Sequence, residues 1–162
     1  KITYLHHSGF SVETETKVLL FDYYTEGGRK AYFDPAAYPD KAVFVFVSHA
    51  QRIIMTDGSF LGKAPNVRYV LSFDVRTEAS FEGRVLRAEP HRTYDFDGIS
   101  IQTLRSNDEG VAFLVKADGK TIYHAGDLNW WHWNGEPDAF NADIEKSYTT
   151  EINRLKGEKI DV

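Results

Sequence analysis

Short runs of apolar and β-branched residues, broken by glycine, proline or polar clusters, fill most of this chain. Alternation at 2–5, 11–13 and 18–22 predicts three strands, with Gly9 and polar residues between them. Residues 42–47, Ala-Val-Phe-Val-Phe-Val, are continuously apolar, as in a strand buried on both faces, and 67–72 repeats the pattern. Residues 84–88 and 92–96 predict edge strands around Pro90, and 99–104 alternates behind Gly98. Strands at 111–116 and 121–124 flank Ala117-Asp118-Gly119-Lys120, and Asp-Gly between apolar runs predicts a tight hairpin. Residues 23–40 are loop-like, with Gly27-Gly28, Asp34-Pro35 and Pro39 as breakers. The period changes only near the end. Phe140, Ile144, Tyr148, Ile152 and Leu155 recur at helical spacing over 139–155, and Gly157 follows as a stop. Lys and Glu in 145–159 then form its solvated face. Many strands, few helices and polar loops after buried strands predict packed sheets with helices outside.

At 162 residues the chain is expected to be a single domain, and 42% hydrophobic with 14% aromatic residues supports a folded core. A net charge of −5 argues against a nucleic-acid partner, which needs a basic face. No apolar run is long enough for a membrane span and no secretory signal opens the chain, so a cytoplasmic protein with a small-molecule partner is expected. There is no cysteine, so any metal must be held by His, Asp or Glu, which suit zinc, manganese or iron. Lys1 all but begins a strand and Ile160-Asp161-Val162 stops as another starts, so a fragment is expected.

Three segments carry a family resemblance. The first is Leu5-His6-His7-Ser8-Gly9-Phe10-Ser11-Val12 with Val18-Leu19-Leu20-Phe21-Asp22. The second is Val45-Phe46-Val47-Ser48-His49-Ala50. The third is Ser106-Asn107-Asp108-Glu109-Gly110-Val111-Ala112-Phe113 with Ile122-Tyr123-His124-Ala125-Gly126-Asp127. Together they resemble the metallo-β-lactamase superfamily, in particular its small metal-dependent hydrolases of the ascorbate-6-phosphate-lactonase type. The resemblance implies an α+β fold, the αβ/βα sandwich of that superfamily, incomplete at the C-terminus. It also implies hydrolysis of an ester, lactone or phosphoester-type substrate by a metal-bound hydroxide. Two cations about 3.5–4 Å apart bring a bridging water's pKa toward neutrality, and imidazoles and carboxylates hold them.

In that family the metal motif is His-x-His-x-Asp-His. Here His49 keeps the first position, whereas Gln51, Ile53 and Ile54 stand at the others. Gln is a poor ligand and Ile none. The resemblance makes His49 and Asp127 the surviving metal positions and gives Asp22 the role of fixing a ligand imidazole from behind. A functional reading of the histidine pair and of Trp130-Trp131-His132-Trp133 puts His7 beside the site and makes Trp131 and His132 part of a rim over the pocket, as substrate contacts. A plainer reading makes one of His6 and His7 a hydrogen-bonded, half-buried residue, with two of Trp130, Trp131 and Trp133 anchoring a loop. His124 is expected beneath the site, and His91 on the surface.

The broken motif has two origins to weigh. Gln51 to Thr56 can be encoded so that one inserted pyrimidine restores His-Ala-Asp-His-Tyr-Asp, with a compensating slip before Pro65, making 51–64 a frameshifted readout. The other origin is true divergence to a metal-free relative that binds a small molecule or protein partner. As written, the chain should hold metal poorly, if at all. An independently sequenced, in-frame Gln-Arg-Ile-Ile coding run would end the frameshift idea.

Overall fold

The computed structural model describes residues 1–6 (His6 by its backbone alone), 8–23, 33–50, 64–76 and 83–162. Ten strands fall where the hydrophobic pattern puts them. They are β1 (Ile2–His6), β2 (Gly9–Glu13), β3 (Lys17–Phe21), β4 (Ala42–Val47), β5 (Val67–Ser72), β6 (Val85–Ala88), β7 (Thr93–Phe96), β8 (Ile99–Arg105), β9 (Val111–Ala117) and β10 (Lys120–His124). One helix, α1 (Asp138–Ile152), follows and tightens into a 3-10 turn at Asn153–Leu155. Within the loop-like 23–40 stretch, Pro35–Ala37 makes another 3-10 turn, started by Asp34 Oδ1 accepting from the Ala36 amide at 2.8 Å.

Strands β1 to β6 form one sheet in chain order, antiparallel through β3 and parallel from β3 to β6. The second sheet is an antiparallel meander ordered β10-β9-β8-β7. Both strands expected at edges, β6 and β7, are edges. Asp118 and Gly119 take φ of 48° and 71°, left-handed at both positions, which is the turn that matches the twist of a two-residue hairpin. Asp97-Gly98 repeats this at 48° and 81° between β7 and β8, a second Asp-Gly hairpin.

Alternation decides which side chains meet. Phe44 and Phe46 on β4 point between the sheets with Leu19, Phe21 and Val70, against Ile101, Val111, Phe113, Val115 and Ile122 of the meander. Val43, Val45 and Val47 point to the other face, buried with Leu20, Tyr69 and Leu71. The continuous apolar run is thus explained by burial on both sides.

The helix docks by less of its stripe than the spacing predicts. Its C-terminal part, Tyr148, Ile152 and Leu155, packs on Leu104, Ala112, Leu114 and Leu128 across the meander's outer face, but Phe140 is exposed. Glu151, expected on the solvated face, is buried instead. It accepts from His91 Nε2 at 2.8 Å and from the Arg105 amide at 3.0 Å. A carboxylate near a helix C-terminus opposes the helix dipole, so these tertiary bonds explain its position.

Candidate functional site

Parallel pairing of β3 with β4 brings the two strand ends together. Phe21 lies opposite Phe46, so the residues that leave the sheet next, Asp22 and Ser48-His49, emerge side by side. Asp22 turns there with φ of 41° and is buried, as are Ser48 and His49. From the meander, β10 ends at His124 and the chain turns through Gly126 into Asp127.

The two sheets touch here because two glycines allow it. A Cβ on Gly110 would lie 1.9 Å from the Ser48 carbonyl oxygen, and one on Gly126 would lie 2.7 Å from Ser48 Cβ. The Val111 amide donates to that same carbonyl at 2.8 Å. Glycine is required at both positions, by space and by positive φ.

Asp22 is the hub of the polar floor. Its Oδ1 accepts from the Ser48 amide at 2.8 Å. Its Oδ2 accepts from Ser48 Oγ at 2.7 Å and lies 2.6 Å from His124 Nε2. Ser48 Oγ also lies 2.7 Å from His49 Nδ1. Burial pushes the Asp22 carboxyl upward, but the bond and charge of His124 and the bonds from Ser48 outweigh it and hold it below its ordinary value. The rings of Phe10 and Phe21 pack on His124 at centroid distances of 5.4 and 5.0 Å, which keeps water away.

Above this floor, His49 Nε2 lies 3.6 Å from Asp127 Oδ2, too long for a hydrogen bond, and has no hydrogen-bond partner among the described residues. Burial pushes the Asp127 carboxyl above its ordinary value; His49 opposes this, while Asp108, Asp22 and Glu109 add to it.

His49, Asp127 and Asp22 therefore converge. Asp22 does not reach His49 directly: Ser48 stands between them, and the ring Asp22 touches is His124. Asp22 thus bears on the His49 imidazole only through Ser48, a residue to which the motif assigns no role, and His124 lies beneath the site as expected. The available signal was that Asp22 and Ser48 leave neighbouring parallel strands. Trp131 is half-buried and stacks on Trp133 at 5.8 Å, with its Nε1 buried and unpartnered, whereas His132 is exposed. Trp130 and Trp133 are both about half exposed, and Trp130 also packs on Tyr148 of α1 at a centroid distance of 5.7 Å. No hydrogen bond or ring contact among the described residues joins Trp131 or His132 to His49 or Asp127. His91 is exposed, as expected, and pairs there with Glu151. His7, Gln51, Ile53 and Ile54, and with them the frameshift question, lie outside the described residues. A separate polar cleft of about 530 Å³ between residues 105–108 and α1 includes neither His49 nor Asp127.

A metal would need more than this. The orphaned Nε2 facing a carboxylate is a fitting pair of donors, but among the described residues no group of three or more His, Cys, Asp or Glu side chains could hold an ion. Catalytic zinc ordinarily takes three protein ligands. The donor set among the described residues falls short of a metal centre, and no step through a metal follows from it.

The family model described as "Beta-lactamase superfamily domain" matches residues 1–154. A UPF0173 metal-dependent hydrolase of Pyrococcus abyssi is 28% identical over 139 residues, covering 78% of this chain and 61% of that protein. One from Desulforamulus reducens is 28% identical over 144 residues, with the same coverage of 78% and 61%. The chain thus spans about three-fifths of the length of these curated relatives. Among solved structures, the diiron β-hydroxylase CmlA of Streptomyces venezuelae superposes with a TM-score of 0.58 at 14% identity, over 98% of this chain and 32% of that one. Igni18, a metallo hydrolase of Ignicoccus hospitalis, gives 0.56 at 18% identity, over 77% and 59%. At such identities the likeness is one of fold, and these two neighbours are named for different chemistries.

Proposed function

Because this chain belongs to the beta-lactamase superfamily domain family, we propose that its His49–Asp127 cleft is the reaction site of a metal-dependent hydrolase, impaired as written. The substrate class is an ester, lactone or phosphoester. The observation that carries the reading is the buried, unpartnered His49 Nε2 facing the Asp127 carboxylate across 3.6 Å. An imidazole nitrogen left without a partner beside a carboxylate is costly unless something else uses it. The chain's own residues supply the supports: Ser48 and Asp22 hold the His49 ring, and Gly126 lets Asp127 approach it. The impairment comes from Gln51, Ile53 and Ile54, which replace three donors.

Restoring those donors tests the proposal. Wild-type protein should purify with well under one equivalent of zinc, manganese or iron and show no turnover of p-nitrophenyl esters, simple lactones or bis(p-nitrophenyl) phosphate. The triple variant Gln51→His, Ile53→Asp, Ile54→His should bind metal and gain turnover of at least one of them. A variant that folds but takes up no metal would remove the site assignment, and stoichiometric metal with turnover in the wild type would remove the impairment. The second reading, a metal-free binding protein, is favoured by the two isoleucines. It predicts that the wild type is stabilised by a small molecule with no metal present, as seen in thermal-shift measurements.

A further inference from the structure

The polar floor contains enough hydrogen-bonding groups in fixed positions to assign its protons. Which ring nitrogen of a neutral histidine holds the proton is set by the partner of the other nitrogen. His49 Nδ1 has one partner, Ser48 Oγ at 2.7 Å. A serine hydroxyl has a single proton to donate and lone pairs to accept with. Asp22 Oδ2, also 2.7 Å from that oxygen, is an acceptor when the carboxyl is ionised. Asp22 Oδ1 is already occupied by the Ser48 amide, and Oδ2 also receives His124 Nε2 at 2.6 Å.

If Ser48 gave its proton to His49, its oxygen would face the Asp22 carboxylate with no proton between them. That opposition would be buried, with Ser48 and Asp22 both almost fully enclosed. It would also place a proton on His49 Nε2, which has no acceptor within hydrogen-bond reach among the described residues. If Ser48 gives its proton to Asp22, every short contact has one donor and one acceptor. Only the second arrangement satisfies the floor.

We infer that Ser48 is a positioning residue that locks His49 in the Nδ1–H tautomer, leaving Nε2 as a bare lone pair directed toward Asp127. The relay runs from the His124 and Asp22 pair through Ser48 into the ring, so two residues that never touch His49 help to set its protonation pattern. This deepens the proposed role of the cleft and rests on it for its significance, but the tautomer itself can be read in a protein that holds no metal.

The test is long-range proton–nitrogen NMR on histidine-labelled protein at about pH 8, above the ordinary imidazole range. His49 is assigned from the signal lost in His49→Gln. The wild type should show His49 with a protonated, pyrrole-like Nδ1 and an unprotonated, pyridine-like Nε2. Ser48→Ala should abolish that pattern, giving Nε2–H or a mixture of tautomers. Ser48→Thr, which keeps the hydroxyl, should retain it. The inference is overturned if wild-type His49 bears its proton on Nε2, or if folded Ser48→Ala leaves the pattern unchanged. The wild-type spectrum decides the tautomer even if Ser48→Ala fails to fold. Failure of the restored triple variant to take up metal would sink the hydrolase reading and leave the tautomer result standing.

Discussion

Asp22 is a carboxylate kept ionised without water, and that makes its contribution to stability depend on pH. Its folded value lies below its ordinary one, so its contribution is complete above about pH 4, where the unfolded chain's carboxyl ionises. That contribution is lost as pH falls through the folded value. Thermal melts of the wild type should therefore lose stability below about pH 4 more steeply than those of Asp22→Asn. Asp127 has the opposite sign. Its folded value is raised, so its ionisation weighs against the folded state, and that cost develops as pH rises from about 4 through the folded value. Asp127→Asn should melt higher than the wild type at pH 7, as expected where a site is kept at the expense of stability. A lower melting temperature for Asp127→Asn at pH 7 would show that some partner already compensates the charge.

At the scale of elements, period and turn chemistry carried most of the information. Ala-Val-Phe-Val-Phe-Val reads as a strand buried on both faces, and Asp118-Gly119 as a tight hairpin, since both rules act within a few residues. The helix was legible as an element but not in its docking. Phe140 shares the stripe with Tyr148 and Leu155, yet whether the meander reaches far enough to cover it is set by tertiary geometry. Glu151 was misplaced for the same reason, because its partners His91 and Arg105 lie far away in sequence. The letters of the site were legible too, as Asp22, His49 and Asp127. What was hidden was that Ser48 and His124 complete the floor, which depends on parallel register and on the glycine contacts. Those contacts can be tested by comparison. Gly110→Ala meets the Ser48 carbonyl at 1.9 Å and should cost about 3 kcal/mol or more by urea denaturation. Gly119→Ala, with φ of 71° and nothing within 4 Å, should cost only about 1–2 kcal/mol. Equal costs would mean that the strands separate to admit the methyl group.

The whole molecule is tied across its sheets at both ends. At the cleft, His124 bonds Asp22 and the Val111 amide bonds the Ser48 carbonyl. At the other end of the strands, Asp118 in the β9–β10 turn accepts from Thr14 Oγ1 at 2.7 Å and from the Thr16 amide at 2.7 Å, and pairs with Lys17. Asp118→Ala should cost about 1–2 kcal/mol. Amide hydrogen exchange should quicken in the turns at 14–17 and 117–120, while the His49 nitrogen spectrum stays as in the wild type. A changed His49 spectrum would mean that the two ends are coupled. His49 belongs to one layer and Asp127 to the other, so the gap between them is a property of how the layers are pinned. A slab fastened at both extremities does not slide. The width of that gap is therefore set by the fastenings between the layers, and a guest seated there meets a breadth that neither layer dictates alone.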